Sequence, residues 1–249
     1  MAAIRSLQPA LSSLVRNPIL LVVTGGVGLL QLPQLLAPTT GPLLSTVISL
    51  GMSGVLLLFL PFYQGGILGM ADEARSGSTS FGTLIGVGKS NYVSLLLSYA
   101  VVLAIAVAFG IIVAILAVGG VVSLLLVVGY LGAMVFIQFY GHEIVLNDAA
   151  VAEGFTRSIG LVRDNLLSTI GYSLLIFLGG GLVGAVSAVT SFLVAPQEPF
   201  QSVVPELSLP FVVGAAAVSL LATAVLGGFY ATYSVVFYRT ISGPSHARL

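Results

Sequence analysis

The chain has 249 residues, of which 57% are hydrophobic and 6% charged, and its mean hydropathy is +1.14. A soluble domain carries about 25% charged residues, so this composition excludes an ordinary water-facing globule. Eight Lys and Arg balance eight Asp and Glu, which excludes the basic field a nucleic-acid binder needs, and the lack of Cys removes disulfides, thiolate nucleophiles and Cys-based metal centres.

The first predicted element is a short amphipathic helix with Leu7, Leu11 and Leu14 on one face, at the i, i+4, i+7 spacing of a helix. Arg16-Asn17-Pro18 closes it, and an apolar span over 19–36 follows; with a helical stretch before it and more spans after it, this reads as a membrane span and not a cleaved leader. Turn residues from Pro38 to Pro42 lead into a second span over 43–70, with Pro61 inside it as a kink position. Charged residues from Asp72 to Lys89 then interrupt the apolar pattern, and a second amphipathic segment carries Phe81, Ile85 and Gly88. Spans over 92–118 and 121–146 are joined at Gly119-Gly120. A third amphipathic segment with Phe155, Ile159 and Val162 precedes a fifth span over 166–194, and a Pro-rich loop around 195–209 separates it from a sixth over 210–238. Each span has the roughly 20 apolar residues needed to cross the hydrocarbon core.

These elements repeat. Asn17, Asn91 and Asn165 stand 74 residues apart at the entrances to the odd-numbered spans, and the three amphipathic faces keep the same offset, as do Gly86 with Gly160 and Gln64 with Gln138. The reading is three parallel units of interfacial helix plus helical hairpin, over 1–74, 75–148 and 149–242, with a short tail over 243–249. Asn17 to Gln64 and Asn91 to Gln138 are both 47 residues, whereas Asn165 to Tyr230, the polar aromatic at the matching depth, is 65; the external loop accounts for the difference. The loop is either a tolerated surface insertion or the seat of specificity. All eight basic residues fall on one side of this topology, so the cytoplasmic membrane with both termini cytoplasmic is expected.

Asn17-Pro18, the run from Pro61 through Tyr63, Gln64 and Gly65 to Ala74, and the segment from Gly154 to Asn165 resemble conserved haloarchaeal membrane proteins of unknown function. More distantly, Arg157-Ser158-x-x-Leu161-Val162-Arg163-x-Asn165 is similar to the membrane domain attached to some glycerophosphodiester phosphodiesterases. The resemblance implies a six-helix membrane domain in an archaeal cytoplasmic membrane. Phosphodiesterase activity does not come with it, because that chemistry resides in a separate soluble domain.

Several residues invite chemistry. Gly141-His142-Glu143 with Asp148 is the most enzyme-like string, yet a zincin needs a second His four residues on, where Leu146 stands, and His246 is the only other histidine. Adjacent helical residues point about 100° apart, so His142 and Glu143 diverge. Asp72 and Arg75 are spaced for an i, i+3 pair beside Glu73. Arg16, Lys89, Arg157 and Arg163 sit where anionic lipid headgroups lie. Gln64 and Gln138, with Tyr63, Tyr130, Tyr140 and Tyr230 nearby in depth, either line a polar path or act as interhelical glue; the glue reading is preferred. Gly65 with Gly69 and Gly180 with Gly184 are small-residue pairs for close helix packing. Gly25-Gly26-Val27-Gly28 lies within an apolar span, with no strand before it and no Lys after it, so it is no nucleotide loop.

The expected fold is therefore all-α and integral to the membrane, with six transmembrane helices. The expected function is non-enzymatic: a scaffold, a lipid-organising element or an accessory subunit, whose partners are membrane lipids and a membrane protein, with no metal and no cofactor. A facilitative path for a small solute or lipid is the first alternative. An interfacial enzyme using His142, Glu143 and Asp148 is the second.

Overall fold

The computed structural model describes residues 2–36, 41–116, 120–194 and 209–243. Its regular elements are α1 (Ala2–Arg5), α2 (Leu7–Arg16), α3 (Ile19–Leu36), α4 (Pro42–Ser76), α5 (Phe81–Leu116), α6 (Val121–Ile137), α7 (Tyr140–Asn147), α8 (Val151–Asp164), α9 (Leu166–Val194) and α10 (Leu209–Ser242). Pro38 and Gly119, expected in turns, the Pro-rich segment over 195–208, and the tail with His246 and Arg248 lie outside the described residues. Among the described residues every regular element is a helix, a structure that suits an apolar solvent because a helix satisfies its backbone groups within one segment. Four helices are long and apolar enough to cross a membrane, and the number rises to six if each of two bent pairs is one span.

The bent pairs share a mechanism. Between Ala2–Arg16 and Ile19–Leu30 the chain turns by 87°, and between Val151–Asp164 and Leu166–Gly181 by 105°. The pivots are Asn17 (φ −126°, ψ 70°) and Asn165 (φ −126°, ψ 30°). At each pivot the backbone N–H slips to the i−3 carbonyl, Leu14 at 3.0 Å and Val162 at 3.2 Å. The side-chain Nδ2 takes over the i−4 carbonyl that the backbone leaves, Ser13 at 2.9 Å and Leu161 at 3.1 Å. Asparagine thereby caps one helix while the next departs in a new direction.

The third asparagine makes the same bond, Nδ2 to the Val87 carbonyl at 3.1 Å, but the chain does not turn there. The separate amphipathic helix expected over 81–89 is instead the start of α5, which runs 36 residues unbroken. Packing explains the difference. A Cβ on Gly66 would come within 2.5 Å of the Leu84 carbonyl, one on Gly69 within 2.8 Å of Val87, and one on Gly88 within 2.8 Å of the Phe62 carbonyl. The first turns of α5 are thus locked along α4. The buried face is Leu84 and Gly88, while Phe81 and Ile85 are exposed, at 49% and 42%.

Two further details differ from expectation. The fourth span remains one apolar stretch over Leu124–Asn147, but its helix is interrupted between α6 and α7 at Gln138-Phe139. The Ser158 hydroxyl enters this gap, accepting from the Phe139 N–H at 3.1 Å and donating to the Phe136 carbonyl at 2.9 Å. Side-chain insertion into the ladder is a recognised cause of such breaks. Gly65 and Gly69 do lie at a close helix contact, whereas among the described residues nothing lies within 4 Å of a Cβ on Gly180 or Gly184; Gly179 of α9 lies close, against the Tyr230 hydroxyl. Pro61 lies inside α4, the position named for a kink.

A second seam joins the first and last long helices. The Thr24 hydroxyl donates to the Ala224 carbonyl at 2.7 Å, and Gly227 and Gly228 of α10 lie against Thr24, Leu14 and Leu21. Buried side chains gather at the end of the bundle that carries the hinges. One cluster contains Leu20, Met70, Leu95, Ile144 and Val235, the other Phe139, Leu161, Tyr172, Tyr233 and Phe237. Away from that end the helices are uncovered, with Leu43, Ile115 and Phe177 exposed by 85%, 76% and 74%.

Candidate functional site

The break after Gln138 sets α7 at the packed end, between α4, α5 and α8, where Tyr238 of α10 also reaches it. His142 and Glu143 are buried there. The His142 ring lies 5.4 Å from the ring of Phe139 and 5.1 Å from that of Tyr238, and neither of its nitrogens has a hydrogen-bond partner. Asn147 binds its neighbours through Nδ2, donating to Glu143 Oε2 at 2.9 Å and to the Tyr238 hydroxyl at 2.6 Å. Asp148 is exposed and closes α7 in the left-handed conformation (φ 52°). His142, Glu143 and Asp148 are not drawn together, and no group of three His, Cys, Asp or Glu suited to a metal occurs among the described residues.

Beside this cluster the ends of α4 and α10 meet through charge. Arg239 forks onto Asp72, Nε to Oδ1 at 3.0 Å and Nη2 to Oδ2 at 2.8 Å, while Arg75 reaches Oδ1 at 2.8 Å. The expected Asp72–Arg75 pair is thus one of two ion pairs that share Asp72. With Ser76 these side chains line an open cleft of about 250 Å³. Glu73 turns the other way and accepts from the hydroxyls of Thr79 at 2.8 Å and Thr83 at 2.5 Å. In the same turn Asn17 donates to the Gly77 carbonyl at 3.2 Å and accepts from the Thr79 N–H at 3.0 Å, tying the first hinge to the α4–α5 connection.

The amides named from sequence are engaged separately. Gln138 Oε1 accepts from Ser173 at 3.2 Å on α9, with Nε2 unpartnered. Gln64 packs on Gly141, where a Cβ would come within 2.6 Å of Nε2, and its Oε1 is unpartnered. Tyr230 donates to the Ile176 carbonyl at 3.3 Å. Tyr63, Tyr130 and Tyr140 pair with Phe59, Phe109 and Phe155, at ring separations of 6.2, 4.5 and 4.8 Å. Of the basic residues assigned to headgroups, Arg16, Lys89 and Arg163 are exposed, and Arg157 is paired with Glu153 at 2.5 Å.

Sequence reasoning missed the roles of Arg239, Tyr238, Ser158 and Thr24. Arg239 and Asp72 each carried a signal, as charged residues at the ends of apolar runs, but their pairing depends on which helices are neighbours. A family model described as a domain of unknown function, DUF7847, matches residues 1–241. No curated protein and no solved structure matches the chain.

Proposed function

The chain belongs to the DUF7847 family, and we propose that it is a non-catalytic integral membrane module that serves as a scaffold, a lipid-organising element or an accessory subunit. The observation that carries this reading is how the polar groups within the helices are used. Thr24, Gln138, Tyr230 and Ser158 each make a bond to another helix, which is interhelical glue of the kind that holds membrane bundles together.

The same reading arranges the chain as six spans in three parallel repeats, with both termini on the cytoplasmic side of the cytoplasmic membrane. The shared i−4 bond of Asn17, Asn91 and Asn165 supports the repeat. The uncovered apolar flanks of α4, α5 and α9 suit membrane lipids or a membrane protein as partner.

A second reading, a facilitative path for a small solute or lipid, draws on two buried amide atoms without partners, Gln64 Oε1 and Gln138 Nε2. Liposomes reconstituted with wild type and with Gln64→Leu/Gln138→Leu separate the two. The module reading expects no solute or lipid flux above protein-free vesicles. Flux that appears with wild type and vanishes in the double variant overturns it in favour of the path.

A further inference from the structure

We propose that the α1–α2 segment lies in the headgroup region of an anionic bilayer, anchored by Ile4, Leu11 and Val15. This rests on the reading of the chain as an integral membrane module and adds the surface through which its first segment meets lipid.

The segment acts as one helix across Ser6, which has αR geometry, donates to the Ala2 carbonyl at 3.0 Å and accepts from the Ala10 N–H at 3.2 Å. Its side chains divide into three sectors. Ala3, Ser6, Ala10, Ser13 and Leu14 are buried, with the Ala3 carbonyl accepting from Tyr233 at 3.1 Å. This is a small-residue face that lets the helix sit close on α10. At about 100° per residue, Ile4, Leu11 and Val15 fall within roughly 40° of arc, and they are exposed by 63%, 53% and 73%. Arg5, Gln8, Ser12 and Arg16 occupy the next sector, all exposed.

A helix with a core face, a bare apolar stripe and a basic edge matches the pattern of interfacial helices, whose stripe enters the headgroup–acyl boundary while the basic edge meets anionic lipid. The 87° turn at Asn17 sets the segment nearly perpendicular to α3, and thus flat on a membrane that α3 enters. The stripe is also continuous in kind with the uncovered side of α3, where Val22 and Leu29 are exposed by 67% and 53%. The other hinged helix, α8, lacks this design. Its exposed residues are Ala152, Glu153, Thr156, Arg163 and Asp164, while Leu161 and Val162 are buried. One hinged helix therefore meets lipid and the other rides on protein.

The chain contains no Trp, so a single introduced Trp reports its own depth. Leu11→Trp, Thr156→Trp on α8 and Leu103→Trp on the uncovered side of α5 are reconstituted into phosphatidylcholine–phosphatidylglycerol vesicles containing lipids brominated at shallow or deep acyl positions. Leu11→Trp is expected to emit blue of Thr156→Trp, to resist iodide and to be quenched most from the shallow position. Leu103→Trp is expected to be quenched most from the deep one. Iodide quenching of Leu11→Trp equal to that of Thr156→Trp, with Leu103→Trp still quenched from depth, overturns the interfacial assignment and leaves the membrane module standing. Loss of deep quenching at Leu103→Trp as well overturns both. Omitting phosphatidylglycerol is expected to raise access of the neutral quencher acrylamide to Leu11→Trp; unchanged access overturns the anionic preference.

Discussion

Arg239 holds Asp72 through two parallel hydrogen bonds of 3.0 and 2.8 Å, so the last helix and the second long helix are fastened at their ends by one fork. A guanidinium matches a carboxylate in this way and an ammonium does not. Asp72 and Arg239 are 27% and 28% exposed, which limits the gain relative to a fully buried pair. Arg239→Lys is expected to destabilise the detergent-solubilised protein by about 1 kcal/mol and Asp72→Asn by roughly 1–2 kcal/mol. The check is a double-mutant cycle on thermal unfolding. A coupling energy below about 0.3 kcal/mol would show that the fork adds nothing to stability.

The glycines of α4 and α9 should respond in opposite ways to the same substitution. Gly66→Ala forces a methyl against the Leu84 carbonyl, 2.5 Å from the ideal Cβ position, and a backbone atom cannot move aside; overpacking of this kind costs about 1–3 kcal/mol. Gly180→Ala meets nothing within 4 Å and removes a flexible residue from a helix, so it is expected to be neutral or to stabilise by up to about 1 kcal/mol. Unfolding midpoints of the two variants decide the matter. Equal effects would contradict the α4–α5 contact described above.

Asp148 tests whether the most enzyme-like string has a structural or a chemical role. It ends α7 at φ 52°, and the next N–H, that of Ala149, donates to the Glu143 carbonyl at 3.2 Å. A left-handed residue at this position is usually Gly or Asn. Asp148→Gly is therefore expected to retain or raise stability, and Asp148→Val to lower it by about 1–2 kcal/mol. A marked loss of stability in the glycine variant would mean that the carboxylate, and not the backbone, matters there.

Much of the helical plan was legible because hydropathy and turn chemistry coincide. The helices expected over 19–36 and 166–194 match α3 and α9 in extent, each bounded by an Asn whose amide caps the preceding helix, although each passes as a membrane span only together with that preceding helix. The break at Gln138 was not legible, since it depends on Ser158, a residue 19 positions from Phe139 that reaches back to take its N–H. Nor was the straightness of α5: Asn91 resembles its two counterparts locally, and only the glycine contacts with α4 keep the chain from turning there. The polar cluster followed the same pattern. Asp72 with Arg75 is a neighbour effect that spacing reveals, whereas Arg239 arrives from 167 positions away.

The seam between Thr24 and Ala224 joins positions 200 residues apart. During synthesis at roughly 5–20 residues per second, the partner of α3 emerges on the order of 10–40 s after α3 itself. For that interval the Thr24 hydroxyl and the glycine-lined side of α3 have no α10 to meet, although α4 and α5 already have each other. The first long helix to be made is thus among the last to find its place, and a chain cut short before α10 leaves α3 without the helix that clasps it.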